Sequence, residues 1–253
     1  MSAVVKSGST VKRTATAGSR TIQQFLSHLR GAGVDWVPEP LGFDDSGREI
    51  LSFVEGQAID GVPPEWFWDE GVLVDIAKRL RQLHDASISF DGTSAVWNWE
   101  SASPAEVILH RDFAPYNCIF RKQRFIGLID FDLSAPGPRI WDIAYTAYRF
   151  VPLMPIGPLG HAQSWSVSPF NTEIMIKRLD AFLVAYGLGA QRLEYSTADV
   201  LAMTIKRLDA MIEWIKMRLQ THPNPGLAEN AETYAEHRAW LSGICPVERA
   251  KDA

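Results

Sequence analysis

Apolar and polar positions along this chain follow two rhythms. In the opening third, short alternating stretches recur. Val4, Val5 and Val11 flank a Ser7-Gly8 turn, which predicts short strands near residues 3–6 and 10–14. Glu49-Ile50-Leu51-Ser52-Phe53-Val54 predicts another strand after the turn Asp44-Asp45-Ser46-Gly47. Between them Ile22, Phe25, Leu26 and Leu29 share one helical face, and Gly31 and Gly33 end that helix. Beyond the proline-bearing stretch at Pro63-Pro64 the helical period takes over. Val72, Ile76, Leu80 and Leu83 form one apolar stripe ending at His84. Leu201, Ile205, Leu208, Ile212, Ile215 and Leu219 predict a long helix over about 197–220, and a last helix is expected near 227–241. The pattern implies an α+β protein. Residues 1–55 would form a small sheet lobe, and 56–253 a larger, mainly helical lobe containing two short strands.

Polar residues interrupt the centre of the chain where folding gives no reason for them. Val107-Ile108-Leu109 runs directly into His110-Arg111-Asp112, and Asn117 precedes the apolar Cys118-Ile119-Phe120. A polar turn, Arg121-Lys122-Gln123-Arg124, then separates that run from Phe125-Ile126-Gly127-Leu128-Ile129. This predicts a tight antiparallel hairpin. Its first strand starts opposite the end of its second, so Asn117 and Asp130 should meet at the same end. An amide oxygen and a carboxylate brought together are hard ligands suited to Mg2+, which keeps water and substrate phosphate oxygens in its remaining positions. Asp112 lies in the loop beside them, placed to take a proton from an attacking hydroxyl.

Bulk properties narrow the setting. A formal charge of -5 and a pI near 5.7 argue against nucleic acid or an anionic membrane as partner. The two cysteines, Cys118 and Cys245, have no zinc-like spacing and suit a reducing, cytoplasmic setting. No apolar run approaches the roughly 20 residues that span a bilayer. The Ser- and Lys/Arg-containing start lacks an apolar h-region and is read as part of the fold.

His110-Arg111-Asp112 with Asn117 resembles the kinase catalytic-loop pattern H-R-D-x-x-x-x-N, and Ile129-Asp130-Phe131-Asp132 resembles the metal motif that follows it. The pair, in this order and on a hairpin, is similar above all to the aminoglycoside phosphotransferase and choline kinase group of small-molecule kinases. Leu83-His84 before the loop and Gly137-Pro138-Arg139-Ile140-Trp141-Asp142 after the metal motif also look like that group. The resemblance implies a two-lobed, protein-kinase-like fold that moves the terminal phosphate of ATP or GTP to a hydroxyl of a small molecule. It makes Asp112 the base and His110 a brace for the loop. Asn117 and Asp130 would hold Mg2+, with Asp132 positioning it or holding a second ion. Backbone groups of Ser52, Phe53, Val54 and Glu55 would meet adenine.

This chain departs from protein kinases in having Ala114 where serine/threonine kinases carry lysine, and only a short stretch between Asp132 and Trp141. Both favour a small acceptor. The shortened first lobe has no G-x-G-x-x-G, and Gln23 and Gln24 stand where a glutamate usually partners the phosphate-gripping lysine. Lys12, Arg13 and Lys6 are the candidates for that grip. The same departures motivate a second reading, a kinase-like binding module without catalysis. Asp142 is expected to be structural, at the start of a helix where it also braces the catalytic loop. Cys118 is expected to be a buried, inert thiol, His84 a packed histidine, and most tryptophans core residues.

Overall fold

The computed structural model describes residues 4–157, 166–187 and 195–245. Ala3, the expected start of the first strand, lies outside them. The architecture is α+β, with eight short strands and six α-helices among the described residues. The chain divides into two compact units. One contains Met1–Ile59 and Asp75–Asp142, the other Asp60–Val74 and Ile143–Ala253.

In the first unit, β1 (Val5–Ser7), β2 (Thr10–Arg13), β3 (Pro40–Phe43) and β4 (Glu49–Ser52) form an antiparallel sheet in the order β1-β2-β4-β3. Gly8, at φ 59°, supplies the left-handed turn between β1 and β2. The helix α1 (Ser19–Gly31) buries Ile22, Phe25, Leu26 and Leu29 on its apolar stripe. It stops in a Schellman arrangement. Gly33 is left-handed at φ 86°, its N–H bonds Arg30 O, and the N–H of Val34 bonds Leu29 O.

The same unit holds two further ribbons that position the central polar residues. β5 (Val107–Leu109) pairs with β8 (Ala135–Gly137), and β6 (Cys118–Arg121) pairs with β7 (Arg124–Leu128). Four strands therefore stand here, where the sequence reading expected two. Pro136 and Gly137 hide β8, because neither is strand-forming in isolation. The β6–β7 turn places Lys122 and Gln123 at φ 50° and 64°, as a two-residue hairpin turn requires. The loop 110–117 runs from β5 to β6, and the segment 129–134 runs from β7 to β8. Both links join the same two ribbons, so they are obligate neighbours. The helix α2 (Glu70–Ser87) carries His84 in its last turn, and α3 (Arg139–Phe150) carries Asp142 in its first.

The second unit is helical. α4 (Thr172–Gly187), which the pattern did not single out, buries Met175, Leu179, Phe182 and Tyr186. α5 (Thr197–Thr221) starts with a capping box between Ser196 and Asp199, and α6 (Pro225–Ile244) starts after the Asn224 cap with proline in its first turn. The acidic pair on α5 is neutralised at the surface, Asp209 by Arg238 and Glu213 by Lys216. Trp68 rests edge-on against Phe67 and Phe170 in this unit, and Trp97 packs on Phe25 and Phe90 in the first.

One polar pair inside the helical unit makes its stability depend on pH. The Tyr148 hydroxyl lies 2.6 Å from His237 Nδ1, and His237 Nε2 lies 2.8 Å from Ser166 O. Ser166 O can only accept, so Nε2 carries the proton and Nδ1 accepts from Tyr148. Burial pushes His237 down to about 4. A histidine that is harder to protonate when folded than its ordinary 6.5 contributes stability that is complete above about 6.5. That stability is lost as pH falls toward 4. The expected loss is about 3 kcal/mol at most. Urea midpoints at pH 7 and 4.5 should separate widely for the wild type and less for His237→Gln. Equal separation in the two proteins would remove His237 as the cause.

Candidate active site

The loop after β5 is held from beneath by one carboxylate. Asp142 is 1% exposed and accepts the N–H of His110 at 2.7 Å and that of Arg111 at 2.8 Å, with His84 Nε2 at 3.3 Å. Burial alone would raise its pKa, yet the bond from His84 and the backbone donors carry it below the usual carboxylate range. Burial also drives His84 down, so at neutral pH it is an uncharged imidazole donating to a carboxylate rather than half of an ion pair. Gripping two successive N–H groups fixes a sharp bend, and Arg111 there adopts φ 70°. Outside glycine this conformation is uncommon and needs such support.

His110 is fully buried. Its Nε2 meets Ile129 O at 3.1 Å and its ring packs edge-on against Phe131, with centroids 4.6 Å apart. It ties the loop to the segment carrying Asp130. Asp112, half-buried, is restrained at both oxygens. Tyr116 donates to Oδ1 at 2.6 Å and Asn117 Nδ2 to Oδ2 at 2.9 Å, with a second bond from Nδ2 to Asp112 O. Tyr116 was not identified from sequence. It occupies a position that the loop pattern leaves unspecified, one residue before Asn117, so the sequence carries no signal for it.

Asn117 and Asp130 come to the same hairpin end. The N–H of Ile129 bonds Asn117 O at 2.9 Å, one residue beyond the Cys118–Leu128 pair, and Asp130 follows at once with φ 65°. Because Asn117 Nδ2 is spent on Asp112, its Oδ1 is the atom left that could serve as a ligand. The Asp130 side chain is 54% exposed. Partial desolvation and then the charges of Asp132 and Asp112 raise its pKa, against the pull of Arg13. The buried Oδ1 of Asp132 carries no hydrogen bond and is met only by an ion pair. An amide oxygen and two carboxylates are the kind of hard donor a divalent cation takes, although among the described residues no three His, Cys, Asp or Glu side chains come together closely enough to hold an ion by themselves.

The residues expected to meet nucleotide separate. Arg13 is directed into this acidic cluster, with Nη2 2.6 Å from Asp132 Oδ1 and Nη1 3.7 Å from Asp130 Oδ1. Lys12, one position along β2, instead faces Asp44 at 3.4 Å, and Lys6 sits over the Phe53 ring. Strand alternation alone separates Arg13 from Lys12. Arg13 Nε also bonds Glu49 at 2.6 Å, and burial notwithstanding, Asp132 and then Glu49 keep its pKa above the ordinary value. The sequence pattern marks Glu49 only as a strand residue, although a charge in an apolar strand signals a partner. Ser52 and Phe53 give their N–H groups to Glu39 O and Ser9 O. Val54 presses on Gly127, where a Cβ would lie 2.7 Å from Val54 Cγ1, and Glu55 is exposed. Cys118, behind the loop, is pushed up by burial and by the Asp112 charge. Its thiol stays protonated.

Known proteins resemble this chain in sequence and in fold. Residues 90–165, which include both polar links, match the model of the phosphotransferase enzyme family (APH). The trifolitoxin immunity protein of Rhizobium leguminosarum bv. trifolii is 34% identical over 140 residues, covering 53% of this chain and 52% of that protein. This chain thus matches about half the length of that curated relative. Among solved structures, a choline/ethanolamine kinase family protein from Mesorhizobium loti has TM-score 0.63 at 16% identity, covering 97% of this chain and 86% of that one. An ethanolamine kinase of Plasmodium vivax gives 0.60 at 14%, covering 99% and 84%. A macrolide 2'-phosphotransferase from Brachybacterium faecium gives 0.58 at 12%, covering 92% and 87%. The fold is that of the two-lobed small-molecule kinases, and the resemblance carried by the catalytic-loop and metal motifs is borne out. Among the described residues no helix is long and apolar enough to cross a membrane.

Proposed function

We propose that this chain, with the fold of the small-molecule kinases and a centre matching the phosphotransferase family, moves the terminal phosphoryl group of a nucleoside triphosphate to a hydroxyl of a small molecule. The observation that carries the proposal is the meeting of Asp112, Asn117 and Asp130 at one hairpin end, through the Asn117–Asp112 bonds and the Ile129–Asn117 bond. Asn117 Oδ1, Asp130 and Asp132 would hold Mg2+, which supplies charge neutralisation for the phosphates when bound. Asp112 would accept the proton of the acceptor hydroxyl. Asn117 and Tyr116 fix its plane, and Asp142 and His110 fix its loop. Val54 and Glu55, at the end of the sheet, would border the base, with Arg13 reaching the phosphates.

The reading as a non-catalytic module draws on the tight β1–β2 turn, which leaves no glycine-rich loop over the phosphates, and on the acidic partners of Arg13. One experiment separates the two. With ATP or GTP labelled at the terminal phosphate, Mg2+ and a panel of small hydroxylated compounds, the enzyme reading expects label on at least one acceptor. Nucleotide binding in calorimetry without transfer to any acceptor would favour the module.

A further inference from the structure

Arg13 is built into the acidic cluster from two sides. The β2–β4 register sets it directly opposite Glu49, a fully buried carboxylate. Glu49 Oε2 takes Arg13 Nε at 2.6 Å, and Glu49 Oε1 accepts from Gln23 Nε2 at 3.1 Å. Gln23 is itself fixed, donating also to Ile50 O and accepting from the N–H of Gly42. Gln23 thus supports a strand glutamate rather than lacking a function of its own. With its Nε edge anchored this way, Arg13 turns its other edge to Asp132 at 2.6 Å and Asp130 at 3.7 Å.

We infer that Arg13 is a counter-ion that holds Asp132 and Asp130 in the nucleotide-free protein and changes partner, from carboxylate to phosphate, when cation and nucleotide bind together. This rests on the phosphotransfer reading of the same site. The oxygen Arg13 touches, Asp132 Oδ1, is buried and has no hydrogen bond besides that ion pair, so a cation using it has to displace Arg13. A guanidinium and a divalent ion cannot share it without repulsion, so a cation entering alone must compete with Arg13. A nucleotide removes the conflict, because its phosphates offer the freed edge a bidentate partner. Arginine suits this exchange where lysine does not. Its fork has two edges, one to stay on Glu49 and one to switch, whereas an ammonium is a single point charge. Cation and nucleotide should therefore bind cooperatively, by linkage through one side chain.

The test uses Mn2+ as probe, titrated into the full chain with protein-bound ion read by water-proton relaxation enhancement, with and without ATP. In wild type, Mn2+ alone should bind weakly and ATP should tighten it. In Arg13→Met, Mn2+ alone should bind about tenfold more tightly while the ATP-induced gain shrinks. Arg13→Lys should keep weak binding of Mn2+ alone. Since Arg13→Met leaves Glu49 buried without its cation, the double variant Arg13→Met/Glu49→Gln, which removes both charges, provides a second measure with the same expected gain. Mn2+ bound equally by wild type and these variants would overturn the inference and leave the phosphotransfer reading standing. Mn2+ bound by no form, with or without ATP, would overturn both.

Discussion

Replacing Asp112 by Asn should cut turnover at least about a hundredfold, and as much as about ten-thousandfold, because an amide cannot accept the hydroxyl proton. The loop should survive the change. An asparagine can turn its oxygen toward Asn117 Nδ2, where Oδ2 now accepts at 2.9 Å, and offer its NH2 to the Tyr116 hydroxyl, which accepts as readily as it donates. The cation ligands are untouched, so nucleotide affinity in the presence of Mg2+ should be retained. Turnover in single-turnover quench experiments, read beside calorimetric ATP affinity, checks both halves. Unchanged turnover would take Asp112 out of the chemistry. Loss of ATP affinity along with turnover would mean that Asp112 serves binding rather than proton transfer.

What could be read from the sequence follows from the range over which each signal acts. The α1 stripe and the long α5 stripe state their burial locally, and the hairpin turn at 121–124 brings Asn117 beside Asp130 through strand pairing alone. The fold followed from those elements and the two motifs. Pairings between distant segments were hidden. β8 announces nothing until β5 lies beside it, since Pro136 and Gly137 are poor strand residues whose partner is set by tertiary structure. Arg13 could not be told from Lys12 until the β2–β4 register fixed which side chain faces Glu49. Glu49 itself, a charge in an apolar strand, becomes intelligible only when Arg13 and Gln23 are seen to occupy both of its oxygens. Tyr116 is the nearest miss. It lies inside the motif, but the pattern leaves that position unspecified.

The arrangement around Asp142, a structural residue in the sequence pattern, makes its removal the largest expected loss of stability. Its carboxylate serves three buried donors, the N–H groups of His110 and Arg111 and the His84 ring. Asp142→Ala strands all three, and at about 1–3 kcal/mol for each unsatisfied buried group, reduced by water entering the space, the expected cost is about 3–5 kcal/mol. Asp142→Asn should cost less, since one amide oxygen still serves one backbone donor while its NH2 faces the other. The sign of the pH dependence follows from the depressed carboxyl pKa. A group that ionises more readily when folded contributes stability that is complete above its unfolded value of about 3.9 and is lost as pH falls through its folded value. The difference between wild type and Asp142→Ala in urea unfolding should therefore hold through the neutral range and narrow only in strong acid. Activity should fall further than stability explains, because the N–H groups Asp142 holds set the bend that aims Asp112, and a displacement of about 1 Å at a reacting group costs about a hundredfold. An Asp142→Ala protein that melts like the wild type would mean that Arg111 keeps its left-handed bend without the carboxylate, and the account of how the loop is held would fail.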